Sequence, residues 1–411
     1  MRAMTRAAMA AALAIVVAAT AACGSDDDPA PATPVEPAID LSKLDTGNLP
    51  TEPKHYDKAA DPQLARIVQA ERLANYIPLP VEVNPEIKYP APAVSAAVRP
   101  FIDLGSSAIK LRAKADPAAL AAAAPGFLSG FVTTGSSDPT PDLSYEYENL
   151  VLMFTDEGAA KAAAPALGQV DFDAIGGSRR LGIDKYPDAF VYLDTSYDFN
   201  AGVRSWYATG RFVIFTYVWD NVMAETGVSD PAKLTARVQL GLDAIPPALA
   251  KFPAIPADQL TEQQVDMDGV LGRSLPTVAV DQSERGIPGV YDRHGGLQLF
   301  PGDEAATLFE QTGVDRVAFN GGSVFRARDA AGAAAIVAAR SATSRTFRPA
   351  ESPVNLPNAQ CRKYSGPIKL SISYYCYVTH GRYAAEVAAN QLLDAQQRIS
   401  AQYARLVNAD K

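Results

Sequence analysis

Histidine and cysteine are scarce in this chain of 411 residues, which has three of each. His55, His294 and His380 stand far apart, so no His-x-x-x-His or similar ligand spacing occurs. A metal site would have to be assembled from distant residues, and a satisfied structural histidine explains each one more simply. No metal or other cofactor is expected. The sequence also lacks a Gly-x-Ser-x-Gly nucleophile elbow, and neither Gly176-Gly177 nor Gly321-Gly322 is followed by the Lys-Ser/Thr of a phosphate loop. Basic residues number 37 against 46 acidic ones, a balance that disfavours nucleic acid as a partner. No apolar run reaches the roughly 20 residues that a spanning helix needs.

What is present starts at the N-terminus. Arg2 and Arg6 precede an apolar run from Ala7 to Ala22, closed by Thr20-Ala21-Ala22-Cys23. A charged start, a short apolar core and a small-residue cleavage site define a secretory signal. With its terminal cysteine it resembles a bacterial lipoprotein signal, whose cysteine is lipidated and becomes the mature N-terminus. Thr20 departs from the aliphatic residue usual in that pattern. The following Gly24-Ser25-Asp26-Asp27-Asp28 and Pro/Ala tract read as a disordered tether. Taking Arg2 and Arg6 from the 37 basic residues leaves 35 against 46 acidic, a charge of −11. Membrane contact is therefore expected through acyl chains on Cys23 and not through charge, at the outer face of the cytoplasmic membrane. The expected organisation is a signal over 1–22, a tether over 23–40, and α+β domains over 41–255 and 256–411.

Cys361 and Cys376 form an even pair in a chain marked for an oxidising compartment, and they flank a hairpin turn signal at Ser365-Gly366-Pro367. Without a histidine cluster they make a poor zinc site, so a structural disulfide is expected. A loop of this size corresponds to roughly 3 kcal/mol.

One pattern occurs twice. Leu150 to Phe154 is an apolar strand run leading into Asp156 and an Ala-rich helix. Strand-like segments follow around Phe190–Leu193, Ser205–Tyr207 and Phe212–Val218, and then a helix announced by Ser229-Asp230-Pro231. Ser323 to Ala327 leads likewise into Asp329 and an Ala-rich helix, then the cysteine hairpin, Gly381-Arg382-Tyr383 and a last helix. Gly210-Arg211-Phe212 and Gly381-Arg382-Tyr383 stand 171 residues apart, and Asp156 and Asp329 stand 173 apart. The repetition predicts an internal duplication and two similar domains, each an antiparallel sheet with flanking helices. At this spacing Ser205 would face Cys376, and Phe190 would face Cys361. Elsewhere, Asp61-Pro62 should open a helix, residues 79–98 should be extended, 129–141 should be loop, and Tyr291 to Gly296 should form a hairpin turn.

The stretch Leu44 to Thr51, the helix Arg66 to Tyr76, the segment Gly289-Val290-Tyr291 and the run Gly313 to Ala318 resemble a family of uncharacterised actinobacterial envelope lipoproteins. Its members carry a lipoprotein signal, an N-terminal domain and a related C-terminal domain. The resemblance implies an envelope lipoprotein of a high-GC Gram-positive bacterium and no particular activity.

Three fragments look catalytic. Asp45-Thr46-Gly47, with Asp103 in Ile102 to Ser107, loosely matches the paired triplets of aspartic proteases, and Ser107-Ala108-Ile109-Lys110 has a Ser-x-x-Lys spacing. The first reads more simply as a turn in which Gly47 supplies positive φ and Asp45 caps the backbone. The aromatics give a hint towards binding. On the strand that holds them, Phe212, Ile214, Thr216 and Val218 alternate with Val213, Phe215, Tyr217 and Trp219, so both faces are apolar. Such a sheet is covered on both sides or borders an apolar groove, and core packing is the default. Trp206, Phe215, Tyr217, Trp219, Tyr375 and Tyr377 are the candidate ligand surface. The expected function is a non-enzymatic binding or envelope-structural role with a lipid or envelope-protein ligand. The alternative is an envelope hydrolase using Asp45 and Asp103, or Ser107.

Overall fold

The computed structural model describes residues 39–91, 98–195, 200–253, 255–277, 288–367 and 372–411. Cys23 and the tether lie outside them. Asp61 caps helix α1 (Pro62–Ala74), its carboxylate accepting from the Gln63 and Leu64 N–H groups, with Pro62 in the first turn. The stretch expected to be extended contains a helical turn, α2 (Pro80–Val83), because Pro80 suits a first helical position and Glu82 accepts from the Leu79 N–H at 2.8 Å. Strand β1 (Arg99–Phe101) leads through α3 (Ser107–Lys110) and α4 (Pro117–Ala123) to β2 (Phe127–Ser136) and β3 (Tyr145–Phe154). Helix α5 (Glu157–Ile175) is followed by β4 (Arg179–Leu181), β5 (Phe190–Asp194), β6 (Gly202–Thr209), β7 (Phe212–Asp220), α6 (Asn221–Thr226) and α7 (Pro231–Leu249).

The second half repeats this plan. It runs through β8 (Gly289–Asp292), α8 (Arg293–Leu299), α9 (Asp303–Thr312), β9 (Arg316–Phe319) and β10 (Ser323–Arg326). Then come α10 (Ala330–Arg340), β11 (Phe347–Ala350), β12 (Gln360–Tyr364), β13 (Tyr374–His380), β14 (Tyr383–Ala389) and α11 (Leu392–Asn408). Two seven-stranded sheets result, ordered β1-β2-β3-β7-β6-β5-β4 and β8-β9-β10-β14-β13-β12-β11. Each strand of the second matches the strand seven places earlier, and every ladder is antiparallel. The chain is α+β and built from two similar sheet units.

The repeated motif is a latch. Gly210 and Gly381 have φ of 50° and 52°, the left-handed conformation that a tight hairpin turn demands. Arg211 donates from Nε to the Phe154 carbonyl at 2.9 Å, and Arg382 donates to the Ala327 carbonyl at 2.8 Å. The backbone returns the bond, from the Phe154 N–H to Arg211 and from the Ala327 N–H to Arg382. Each latch thus pins a β-hairpin to the strand end just ahead of a helix capped by Asp156 or Asp329.

Cys361 and Cys376 sit opposite each other on β12 and β13 and form a disulfide. Ser205 has the place of Cys376, since they oppose Thr216 and Val387 in matching registers. The residue facing Ser205 is Val191, not Phe190, which pairs with Trp206. The two repeats differ by one residue in the loop between these strands.

Two further expectations are corrected. Phe127–Ser136 is a strand in place of loop, and its glycines are sites of close approach: Phe101 lies over Gly130, and Pro80 and Ile87 lie over Gly135. Tyr291 to Gly296 joins a strand to a helix, with Asp292 as the N-cap accepting from the Gly295 N–H at 2.8 Å.

Both faces of the first sheet are covered. Phe212, Ile214 and Val218 pack with Leu234, Val238 and Leu242 of α7, while Val213 and Phe215 pack with Ala160, Ala163 and Leu167 of α5. In the second sheet Phe325 and Tyr377 pack against Ile336 and Val337 of α10, and Ile399, Tyr403 and Leu406 of α11 are buried on the other side. Asp40–Lys411 forms one unit. Buried side chains bridge its halves: Thr133 donates to Gln298 at 2.6 Å, and Gln298 donates to the Ile77 carbonyl at 2.7 Å. The first described residues form a strap on the second half, where Asn355 donates to the Lys43 carbonyl and Asn408 to the Thr51 carbonyl.

Candidate functional site

The aromatic residues singled out above do not make one open surface. Trp206 and Phe215 are 1 % and 0 % exposed, lie with tilted rings whose centres are 4.4 Å apart, and belong to the core under α5. Tyr377 is 1 % exposed, and its hydroxyl accepts from Arg362 Nε at 3.0 Å. Tyr217, Trp219 and Tyr375 are half-buried; Arg204 lies over the Tyr217 ring, Trp219 donates to Asn221, and Tyr375 meets Phe347 edge-on.

The catalytic look-alikes fall in separate places. Asp45 follows the strap's first turn, and its carboxylate accepts from the Gly47 N–H at 3.0 Å and from Gln397 Nε2 of α11 at 3.0–3.1 Å. The Gln397 bond and then the Gly47 N–H hold its carboxyl below the usual carboxylate range. Gly47 has φ 54°, as the turn reading requires. Asp103 lies in the turn after β1, and Ser107 begins α3, where its hydroxyl accepts from Arg99 at 2.8 Å. The histidines each have a different acidic neighbour: Asp57 for His55, Glu82 for His294 and Asp410 for His380. Among the described residues no group of three or more His, Cys, Asp or Glu could hold a metal.

A buried charge network lies under the first sheet, and nothing in the sequence signalled it. Asp171 of α5, with 0 % exposure, accepts from the Lys114 and Ala115 N–H groups, the Tyr192 hydroxyl and Arg204 Nη1. Arg204 also pairs with Asp194 at 2.9 Å, and Arg112 pairs with Glu148. Trp206 joins through its indole N–H, which donates to the Tyr192 hydroxyl at 3.1 Å. Burial pushes the Glu148 carboxyl up to about 7, with Arg112 opposing the rise. The network fastens the segment between α3 and α4 to the sheet face, and such pairs hold a conformation more than they add net stability.

The concave sites lie elsewhere, where the segment Glu86–Pro90 runs between the halves. A cleft of about 800 Å³ opens against α8, α9 and α10, with Pro90, Leu299, Phe300 and Leu308 as apolar wall and Arg340 and Arg362 at its edge. Arg340 stacks over Phe300 at 4.6 Å and pairs with Glu386, so its guanidinium is fixed in place. Arg362 stacks over Phe347 at 4.0 Å. A second cleft of about 460 Å³ lies against β3, α6 and α7. A small apolar pocket of about 40 Å³, lined by Leu79, Ile87 and Leu297 among others, shares Lys88 and Tyr89 with the second cleft and Pro301 and Asp303 with the first. Backbone bonds between Tyr89 and Ser136 (2.8 and 3.0 Å) hold the wall between them. Both clefts are within the range of small-molecule sites, about 300–1,000 Å³. Neither was legible in the sequence, because each has walls from segments far apart in the chain: Pro90 with 299–362 in the first, and 86–89 with 137–145 and 220–237 in the second.

No helix among the described residues is long and apolar enough to cross a membrane. No curated protein matches the sequence. In structure, the chain is similar to the extracellular domain of PknH from Mycobacterium tuberculosis, at 12% identity and a TM-score of 0.31, over 44% of this chain and 97% of that one. Residues 56–265 match the N-terminal model of a domain of unknown function, DUF7373, and residues 270–409 match its C-terminal model. Those two matches span nearly all of the described chain, and the protein belongs to the two-domain DUF7373 family.

Proposed function

We propose that this protein is an actinobacterial envelope lipoprotein, anchored through acyl chains on Cys23, that acts by binding a small molecule and not by catalysis. The observation that carries the binding reading is the cleft of about 800 Å³ with an apolar wall and two fixed guanidinium groups at its edge. An apolar wall with a few oriented polar groups is the usual make-up of a ligand site. The anchoring rests on the charged start, the apolar run and Cys23, and the Ala/Pro-rich composition suits a high-GC actinobacterium.

Native mass spectrometry of the full chain purified from its host tests the binding. A mass increment that survives gentle ionisation is expected, and it should be lost in Ala339→Trp, which fills the cleft from an exposed position on α10. An increment unchanged in Ala339→Trp would exclude this cleft. Labelled palmitate should be incorporated by the wild-type chain and not by Cys23→Ala, and retention of label in that variant would refute the anchor.

A further inference from the structure

The second cleft has a character of its own. Its lining charges balance, with Glu86, Asp138 and Asp220 against Lys88, Lys233 and Arg237, but they are not equally engaged. Asp220 pairs with Arg237 at 2.5 Å and accepts from the Met223 N–H at 2.9 Å. Glu86 accepts from the Tyr145 hydroxyl at 3.2 Å, and Asp138 accepts from the Thr140 N–H at 2.8 Å. Every carboxylate is thus held by the protein. Lys88 and Lys233 are exposed, and neither ammonium has an ion-pair or hydrogen-bond partner among the described residues. Arg237 is held between the Tyr145 ring, 3.5 Å from its guanidinium carbon, and Asp220, so of the three cations only the two lysines are free to turn to a ligand.

The rim is apolar. Leu143, Val222 and Tyr89 are 65 %, 43 % and 38 % exposed, and these three large hydrophobic residues meet at this one cleft. Exposed apolar side chains scattered singly need no explanation, whereas a cluster beside two unpaired cations fits a molecule with both an anionic and an apolar part. Two ammonium groups match a phosphate monoester, which carries about −1.5 to −2 charges at neutral pH, better than a single carboxylate.

We propose that the cleft bounded by Lys88, Lys233, Leu143 and Val222 binds a single-chain phosphate amphiphile. Lys88 and Lys233 hold the phosphate headgroup, and Leu143 and Val222 cover the start of the chain. This site is separate from the larger cleft and does not depend on it.

The test uses the full chain and two probes below their micelle concentrations, dodecanoyl lysophosphatidate and its uncharged counterpart dodecanoylglycerol. Titration calorimetry should show that the wild type prefers the phosphate probe by about tenfold or more, as charge-assisted hydrogen bonds allow. Lys88→Gln/Lys233→Gln should abolish that preference, leave binding of the neutral probe unchanged, and melt with the wild type, while Ala339→Trp should keep the preference. Equal binding of the phosphate probe by wild type and double variant would overturn the assignment. So would displacement of the probe by inorganic phosphate at equal concentration, which would mark a free-phosphate site. Loss of binding only in Ala339→Trp would place the amphiphile in the larger cleft, sinking this inference while leaving the first reading intact.

Discussion

Replacing Glu71 with Gln should halve the pH dependence of folding stability in the mildly acidic range. Glu71 of α1 is 3 % exposed, its Oε1 has no hydrogen-bond partner among the described residues, and burial pushes its carboxyl well above the usual carboxylate range. In the unfolded chain the same group titrates near 4.3. The folded state therefore keeps a proton that the unfolded chain has released. Its stabilising effect is complete at low pH and is lost as pH climbs from about 4.3 towards the folded-state value. Each such group gives a slope of about −1.4 kcal/mol per pH unit. Glu148, raised to about 7 chiefly by burial, acts with the same sign. Between about pH 5 and pH 6 the two together predict a loss of about 2.7 kcal/mol per pH unit in the wild type and about half that in Glu71→Gln. Urea unfolding followed by the fluorescence of Trp206, which is 1 % exposed, supplies the stabilities. Parallel pH profiles for the two proteins would refute a protonated Glu71.

Other expectations are simpler. Cys361→Ser/Cys376→Ser, opening a loop with a sequence separation of 15, should cost about 3 kcal/mol in denaturant unfolding, and a cost near zero would argue against a constraining role. Arg204→Met leaves Asp171 and Asp194 buried with one fewer partner, so a loss of roughly 3–5 kcal/mol is predicted; a neutral effect would mean that the cluster rearranges freely. Arg211→Ala and Arg382→Ala should each cost about 1.5–3 kcal/mol, and a large cost in one with none in the other would break the equivalence of the latches.

The repeat was legible because its markers are local. A capping Asp before an Ala-rich helix and a Gly-Arg-aromatic turn each impose their own backbone geometry, whatever packs on them. The two-faced apolar strand Phe212–Asp220 was legible for a similar reason: its neighbours on both sides are inside the core. Other features depend on partners far along the chain. Gly130 and Gly135 look like loop residues until Phe101, Pro80 and Ile87 press on them. Asp292 looks like a hairpin tip until it caps α8. Arg112, Glu148, Asp171 and Arg204 have nothing in common in sequence, and Lys88 and Lys233 meet only because one cleft has walls from the segment after α2 and from α7. Trp206 and Phe215 have the chemistry of a ligand surface, but core packing is the default for such residues, and they fill the interior under a helix of alanines.

The strap over residues 40–52 has a consequence for how the protein can be divided. Its bonds run to Asn355, Gln397 and Asn408, all beyond residue 350, while the chain between passes through the whole first sheet. The two halves are therefore interlaced and are not beads on a string. A cut near residue 268 would leave a C-terminal fragment missing a piece of its own surface and an N-terminal fragment carrying that piece unused. Such fragments should behave as complementary parts: poorly behaved apart, and reassembling when mixed because the strap finds α11 again.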